Sequence, residues 1–233
     1  MKTLGILGGM SWESTLPIYR LLNQHVARRL GGLHSAKLLL HSVDFAEIED
    51  LQRRDAWDQA GQVLGAAAAG LRLAGAQGLL IATNTMHKVA DQIERLGGLP
   101  VLHIADATAA ALRAAGVQRA GLLATRYTME QDFYRARLER HGIATITPPP
   151  DARDAVHRII YDELCRGQVL PESRAAYRRI MLDLAEQGAQ GMILGCTEIG
   201  LLIDPLDAAW CPVPLFDTTA LHAQAAVDWM LQP

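Results

Sequence analysis

Short apolar runs alternate with longer helical patterns along the whole of this 233-residue chain. Eight runs have the length and composition of buried strands, namely LGIL, KLLLHSV, GLLIA, PVLHI, AGLLA, ATIT, GMIL and PVPLF. The helical patterns between them cover residues 13–30, 56–75, 86–96, 106–115, 129–141, 151–166, 171–187 and 217–231. Strands that alternate with helices predict an α/β fold, in which mainly parallel sheets are flanked by helices.

The two halves of the chain match at three landmarks that occur in the same order. TLGILGGMS resembles RAGLLATRYT, the segment around Thr83 resembles the segment around Cys196, and VLHIADAT resembles PVPLFDTT. In the last pair, Asp106 and Asp217 stand where helix N-caps are expected. The common order favours a tandem duplication over the general similarity that any α/β chain has with itself. We therefore expect two similar domains, residues 1–103 plus 208–233 and residues 104–207, related by a pseudo-twofold axis.

Charge and composition exclude several classes of protein. The formal net charge of -3 offers no basic surface, so no nucleic-acid partner is expected. The apolar stretch 63–82 is interrupted by Arg72, Gln77 and glycines, which predicts a helix followed by a buried strand and not a membrane span. The first ten residues are too short for a signal peptide, and we expect a cytoplasmic protein. Three cysteines without paired metal-ligand spacing are expected to be free thiols, with no metal bound.

The ends of two apolar runs carry the groups with the most chemistry. GMILG is followed by Cys196, and GLLIA is followed by Thr83. Ligands of α/β proteins bind at the carboxyl ends of parallel strands, so a twofold axis would place these two residues across one cleft. A thiol just before a helical turn lies near the positive end of a helix dipole, which is expected to lower its pKa from about 8.5 toward neutrality.

Neighbouring groups in both segments are suited to holding a carboxylate. They are the backbone amides of Thr197 and Glu198, together with Asn84 and Thr85 in the first half. With the α-carbon of a substrate held between positions 83 and 196, one group removes a proton and the other returns it from the opposite face. This pattern predicts inversion of a stereocentre by general acid–base chemistry.

Several stretches together resemble the aspartate/glutamate racemase family, the cofactor-independent amino-acid racemases within the larger Asp/Glu/hydantoin racemase group. These are GILGGMSWEST, TNTMHK, IIYDELCRG with SRAAY after it, and LGCTEI. The resemblance covers nearly the whole chain. It implies two similar α/β domains, an active site between them, a homodimer, no cofactor, and two opposed catalytic residues that are usually both cysteine. On that implication Cys196 is one catalytic acid/base.

Position 83 departs from the family pattern, because Thr83 stands where the first cysteine is usual, as it does in a minority branch. A threonine alkoxide is not accessible near neutral pH. We therefore predict an asymmetric racemase of aspartate, glutamate or a broader set of amino acids, in which Thr83 is a slow proton donor or a relay through water. Two alternatives stay open: a decarboxylase or cis–trans isomerase that uses a single thiol, and a non-catalytic binding protein.

The predicted substrate-binding residues are Met10, Ser11, Gln52, Asn84, Thr85, Thr125, Thr128, Arg166, Thr197 and Glu198. The resemblance implies that Arg166 binds the side-chain carboxylate of the substrate, although a solvated arginine at a helix end is an equal alternative. Gln52 or Arg53 falls where family members have a second arginine. Met10 stands where glutamate racemases have an acidic residue, which methionine cannot replace.

Some of these residues have an equally good structural interpretation. Ser11 and Thr128 suit helix N-caps, and Glu198 either assists Cys196 and the substrate ammonium or caps the short helix that follows. Trp12 either covers the cleft or packs. We expect structural roles for His87 and Lys88. Cys165 and Cys211 are predicted to be small buried hydrophobic residues.

Two cofactors are not expected from the sequence. ILGGMS lacks the third glycine of a dinucleotide fingerprint. No lysine stands in a context that suggests a Schiff base with pyridoxal phosphate.

Overall fold

The computed structural model describes residues 1–205 and 208–233, and it divides into two compact units. The first comprises Met1–His103 and His222–Pro233, and the second comprises Ile104–Leu221. Each unit contains a parallel sheet flanked by helices, so the predicted α/β fold with two parallel sheets is confirmed.

The first unit is built on a three-stranded parallel sheet. Its strands are β1 (Leu4–Gly8), β2 (Leu38–Ser42) and β3 (Gly78–Ile81), in the order β2-β1-β3. The helices are α1 (Trp12–Leu30), α2 (Phe45–Arg53), α3 (Trp57–Leu73) and α4 (Ala90–Gly97), with a 3-10 turn over Thr85–Val89 before α4. The central strand β1 is buried along its whole length, because α1 covers it with Ile18, Leu22 and Val26.

The second unit is built on a four-stranded parallel sheet. Its helices are α5 (Ile104–Ala114), α6 (Arg126–Glu130), α7 (Asp132–Arg140), α8 (Pro150–Arg158), α9 (Pro171–Glu186) and α10 (Ile199–Leu202). Its strands β4 (Arg119–Ala124), β5 (Ala144–Ile146), β6 (Gly191–Gly195) and β7 (Leu215–Asp217) lie in the order β5-β4-β6-β7. Helix α11 (Thr218–Leu231) begins in this unit and contributes its residues from His222 onward to the first.

The return of the chain to the first unit differs from the sequence prediction. Residues from 208 onward were expected there, whereas the structure assigns residues up to Leu221 to the second unit. The physical reason is strand pairing: Phe216 of β7 pairs with Ile193 of β6, and the amide of Met192 donates to the carbonyl of Pro214. The first unit includes residues up to His103, and the second begins at Ile104.

Three further expectations require correction. PVLHI is not a strand, because only Val101 forms an isolated bridge, to Leu79. Asp106 is not an N-cap, since α5 begins two residues earlier and the carboxylate accepts two hydrogen bonds of 2.7 Å from Arg137. The helix predicted over 151–166 ends at Arg158 and continues as π- and 3-10 turns.

The apolar stretch 63–82 is shared between α3 and β3. Among the residues that the structure describes, no helix combines the length and apolar character needed to cross a membrane.

Candidate active site

Two segments with predicted site residues follow neighbouring strands of the first unit. Met10 and Ser11 come after β1, and Thr83, Asn84 and Thr85 come after β3, all five of them buried. Because β1 and β3 are parallel and paired through Leu7 and Ile81, both segments lie at the same edge of the sheet. The first unit therefore brings these five residues to one sheet edge.

The turn after β1 depends on a glycine. Gly9 has a φ of +87°, and a Cβ there would lie 2.3 Å from the carbonyl oxygen of Val43. Its amide donates to Thr15 Oγ1 over 2.9 Å, and Thr15 Oγ1 in turn donates to the carbonyl of Ser11. Ser11 occupies the N-cap position of α1, but its side chain makes no capping hydrogen bond.

The backbone of Thr83 is hydrogen-bonded to His87. His87 is buried, and its Nδ1 lies 2.8 Å from the carbonyl oxygen of Thr83, to which the ring donates. The rings of His103 and His222 pack against His87, with centroids 4.5 and 5.6 Å away. His87 thus has the structural role expected of it, and that role fixes the backbone of Thr83.

The other first-unit residues singled out in the sequence differ in burial and in their contacts. Gln52 is buried, and its Nε2 is 3.0 Å from the sulfur of Met86, one residue after Thr85. Arg53, the other residue that could substitute for the family arginine, is exposed and pairs with Asp50. Lys88 lies over the ring of Trp57, 4.0 Å from its centroid. Trp12 is 59% exposed and is therefore not a packing residue within this chain.

In the second unit, the predicted site residues again follow neighbouring strands. Thr125 comes after β4 and Cys196 comes after β6, and the two strands pair up to Ala124 and Gly195. Thr125 is the N-cap of α6, because its hydroxyl accepts a bond from the amide of Thr128 over 3.4 Å. The cap is therefore Thr125, and Thr128 is a buried residue of the first helical turn whose hydroxyl lies 3.3 Å from that of Thr125.

Cys196, Thr197 and Glu198 form one hydrogen-bonded group. Glu198 Oε2 accepts a bond from the Cys196 thiol over 2.9 Å and another from the Thr197 hydroxyl over 2.8 Å. All three residues are buried. The side chain of Glu198 makes no capping bond to α10, so the helix-cap interpretation of this residue is wrong.

The pKa of Cys196 moves in the direction opposite to the sequence prediction. Burial and the adjacent Glu198 carboxylate raise the pKa of the Cys196 thiol well above its usual range. The helix dipole does not lower the pKa of Cys196, because α10 has only four residues and begins three positions after the thiol. The hydrogen bond from the Glu198 amide, which favours the thiolate, is outweighed. Cys196 therefore rests as a protonated thiol.

Cys165 is a member of this group that the sequence did not reveal. It is half-buried, and its sulfur lies 3.7 Å from Glu198 Oε1, so it is not simply a buried hydrophobic residue. No spacing in the sequence relates positions 165 and 198, and only the fold brings them together. Cys211 is also half-buried and packs against the core.

Arg166 lies next to Cys165 but is exposed, at the end of the 3-10 turn Leu164–Arg166. Among the residues that the structure describes, no cluster of three or more His, Cys, Asp or Glu side chains is arranged to hold a metal ion.

Comparison with known proteins agrees with a fold of two α/β units, each built on a parallel sheet. The family model described as Asp/Glu/Hydantoin racemase matches residues 7–226. The chain therefore belongs to the Asp/Glu/hydantoin racemase family.

Individual relatives are consistent with this assignment. A Yersinia pestis protein, provisionally described as an Asp/Glu racemase, is 59% identical over 100% of both chains, with a TM-score of 0.91. An aspartate racemase homologue from Pyrococcus horikoshii is 32% identical over 100% of both chains, with a TM-score of 0.83. A glutamate racemase from Pseudomonas aeruginosa is 31% identical over 156 residues, which cover 64% of this chain and 56% of the length of that racemase.

Proposed function

We propose that this protein is a cofactor-independent racemase of an acidic amino acid, aspartate or glutamate or a broader set that includes them. Cys196 serves one face of the substrate α-carbon and Thr83 serves the other. The observation that carries the proposal is the thiol of Cys196 bonded to the carboxylate of Glu198 at the end of a central strand, in a chain of this family. The proposal requires that the strand ends of the two units face one cleft.

Because the pKa of Cys196 is raised, the thiol must lose its proton before it can act as a base, and Glu198 accepts that proton. A protonated thiol cannot remove a proton from carbon, so its own proton must leave first. Glu198 Oε2, 2.9 Å from the sulfur, is within reach to accept it. The resulting thiolate then takes the α-proton, and Glu198 keeps the proton that came from the thiol until the product leaves.

The Thr83 hydroxyl completes the exchange from the opposite face. It donates a proton to the carbanion and recovers one from water. The reverse direction requires Thr83 to act as a base, which a hydroxyl does poorly near neutral pH. The enzyme is therefore faster on the enantiomer whose α-proton faces Cys196.

Substrate binding relies on the buried polar groups beside the two catalytic residues. Asn84, Thr85 and Thr197 are suited to the α-carboxylate, with Ser11, Thr125 and Thr128 as further polar contacts. Met10 and Gln52 contribute walls of the site. Arg166, which is exposed in the free protein, attracts the side-chain carboxylate of the substrate.

The test is exchange at the α-carbon in deuterated water. Each enantiomer of aspartate and glutamate is incubated with purified protein without added cofactor, and the expected result is α-deuterium in both enantiomers. Cys196→Ser should abolish exchange, whereas Cys211→Ser, a cysteine outside the proposed site, should leave it intact. Release of carbon dioxide without deuterium in the recovered amino acid would identify a single-thiol decarboxylase instead.

The proposal also includes a cytoplasmic homodimer, the assembly that the resemblance implies. Sedimentation equilibrium of the purified chain tests the assembly, and a mass of 25.4 kDa at all concentrations would contradict it.

A further inference from the structure

A small cavity in the second unit lies beside α10, outside the group formed by Cys196, Thr197 and Glu198. Its volume is about 170 Å³. Two arginines of α9, Arg174 and Arg178, line it together with Asp204, Trp210 and the aliphatic residues 201–203. Nothing in the proposed racemase chemistry uses these side chains.

Arg178 lines this cavity and has a buried guanidinium nitrogen. Its Nε is buried and has no hydrogen-bond partner among the described residues. The guanidinium carbon lies 4.8 Å from the centroid of the Trp210 ring, which attracts the positive charge. The face of the ring offers no oxygen to the N–H group, however, and a buried donor without an acceptor is costly. A guanidinium has further N–H donors on its two terminal nitrogens, and Arg178 lines the cavity, so an acceptor there has donors to bind.

Arg174 presents a second guanidinium to the same space. Its Nε donates to the carbonyl of Leu202 over 2.9 Å, which fixes the side chain beside the cavity. A guanidinium has five N–H donors, so the Leu202 bond engages only part of it. Among the lining residues that the structure describes, Asp204 is the one carboxylate, and the two guanidiniums of these described residues leave an excess of positive charge.

Size and charge together indicate the chemistry of the occupant. A water molecule occupies roughly 30 Å³ in the liquid, so the cavity has room for a group of several heavy atoms. Planar guanidinium forks match the oxygens of carboxylates and phosphates. We propose that this cavity binds a small oxyanion, a phosphate or carboxylate group, between Arg174 and Arg178.

An occupant would contact the segment that continues from the Cys196 turn. The amide of Ile199 donates to the carbonyl of Cys196 over 3.1 Å, and the amide of Leu201 donates to the carbonyl of Glu198 over 3.0 Å. Leu201 itself lines the cavity. An anion held by α9 and α10 therefore braces the residues that immediately follow the catalytic segment.

The experiment is a calorimetric titration of the full chain with inorganic phosphate, and separately with acetate, at an ionic strength held constant with sodium chloride. The parent should bind one phosphate or one acetate per chain. Comparing the two titrations shows whether the cavity prefers a phosphate or a carboxylate group. Arg178→Met keeps an unbranched side chain beside Trp210 but removes the N–H donors. Arg174→Met does the same on the other side. Arg179→Met, an exposed neighbour on α9 that does not line the cavity, is the matched control.

Each of the two cavity variants should weaken binding by about tenfold or more, because a charge-assisted hydrogen bond is lost, and Arg179→Met should bind as the parent does. Circular dichroism establishes that each variant is folded. Should Arg178→Met not fold, Arg178→Lys keeps the charge, lacks the planar fork and should also bind more weakly. The proposal is overturned if neither anion gives a saturable signal with the parent, or if Arg179→Met weakens binding as much as the cavity variants do.

Discussion

Burial and the Glu198 carboxylate together determine the protonation state in which Cys196 rests. A buried thiol already resists ionisation, and a carboxylate 2.9 Å away adds an unfavourable charge to the thiolate. The same carboxylate is the nearest acceptor for the thiol proton. In the proposed mechanism, Glu198 therefore helps to keep the sulfur protonated in the free protein and accepts the thiol proton when Cys196 becomes a base.

Replacing Glu198 with glutamine should make the Cys196 thiol easier to ionise. The amide has the size of the carboxylate but no charge, so the pKa of Cys196 is expected to fall. Alkylation of the Cys196 peptide by iodoacetamide, followed by mass spectrometry across a pH series, should begin at lower pH than in the parent. Glu163→Gln, a buried glutamate that accepts from Ser173, is the control and should leave the profile unchanged. A profile unaltered by Glu198→Gln would contradict the role assigned to the carboxylate.

Thr83→Cys should raise the turnover of the slower enantiomer. A thiol is a far better base than a hydroxyl near neutral pH, and it would restore the pair of cysteines usual in the family. The ratio of initial rates for the two enantiomers, followed by polarimetry or chiral chromatography, should move toward one. Thr83→Ser retains a hydroxyl and should keep the asymmetry of the parent. Rates unchanged in both directions for the cysteine variant would remove Thr83 from the mechanism.

At the scale of elements, α11 contributes a buried titratable group to the first unit. His222 lies in this helix, and its Nε2 donates to the carbonyl of Leu102 over 2.6 Å. Burial lowers the pKa of His222 from 6.5 to about 4. Its Nδ1 is buried without a hydrogen-bond partner among the described residues, so the fold holds this ring in the neutral form.

This histidine should make the stability of the first unit depend on pH. The unfolded chain takes up a proton near pH 6.5, whereas the folded chain does so only near pH 4. The contribution to stability is therefore complete above pH 6.5 and is lost as the pH falls toward 4, by about 3 kcal/mol.

Urea unfolding at a series of pH values measures the effect. His222→Gln keeps a donor for the Leu102 carbonyl and removes the titration, so its free energy of unfolding should fall less steeply between pH 6.5 and pH 4 than that of the parent. His34→Gln, at an exposed histidine, should retain the slope of the parent. Equal slopes for the parent and His222→Gln would show that another group controls the acid sensitivity.

At the scale of the whole molecule, the proposed mechanism requires one substrate to reach both units. In the Thr83→Cys protein, bound aspartate or glutamate should slow alkylation of the introduced thiol and of Cys196, with the same half-maximal ligand concentration. Cys211, outside the proposed site, reports on general changes in reactivity and should not respond. Protection of only one thiol, or protection of the two at different ligand concentrations, would contradict a shared cleft.

Local sequence patterns predicted the strands well, because the residues of one short segment are enough to identify most of them. Seven of the eight predicted strands are present, because short apolar runs bounded by glycine and polar residues pair as strands in either unit. PVLHI failed because strand formation needs a paired neighbour, and only Val101 has one. The prediction that the chain re-enters the first unit at residue 208 was wrong for the same reason. Local sequence does not show that β7 pairs with β6, and that pairing keeps this segment in the second unit.

The sequence by itself determined the alternation of strands and helices, the family, and the positions of Thr83 and Cys196 at strand ends, because these depend on residue type and short-range order. The tertiary structure decided the protonation of Cys196, the acceptor role of Glu198 and the presence of Cys165 beside it. A pKa depends on burial and on charges that arrive from distant segments, and only the folded chain brings those groups to within hydrogen-bond distance of the thiol.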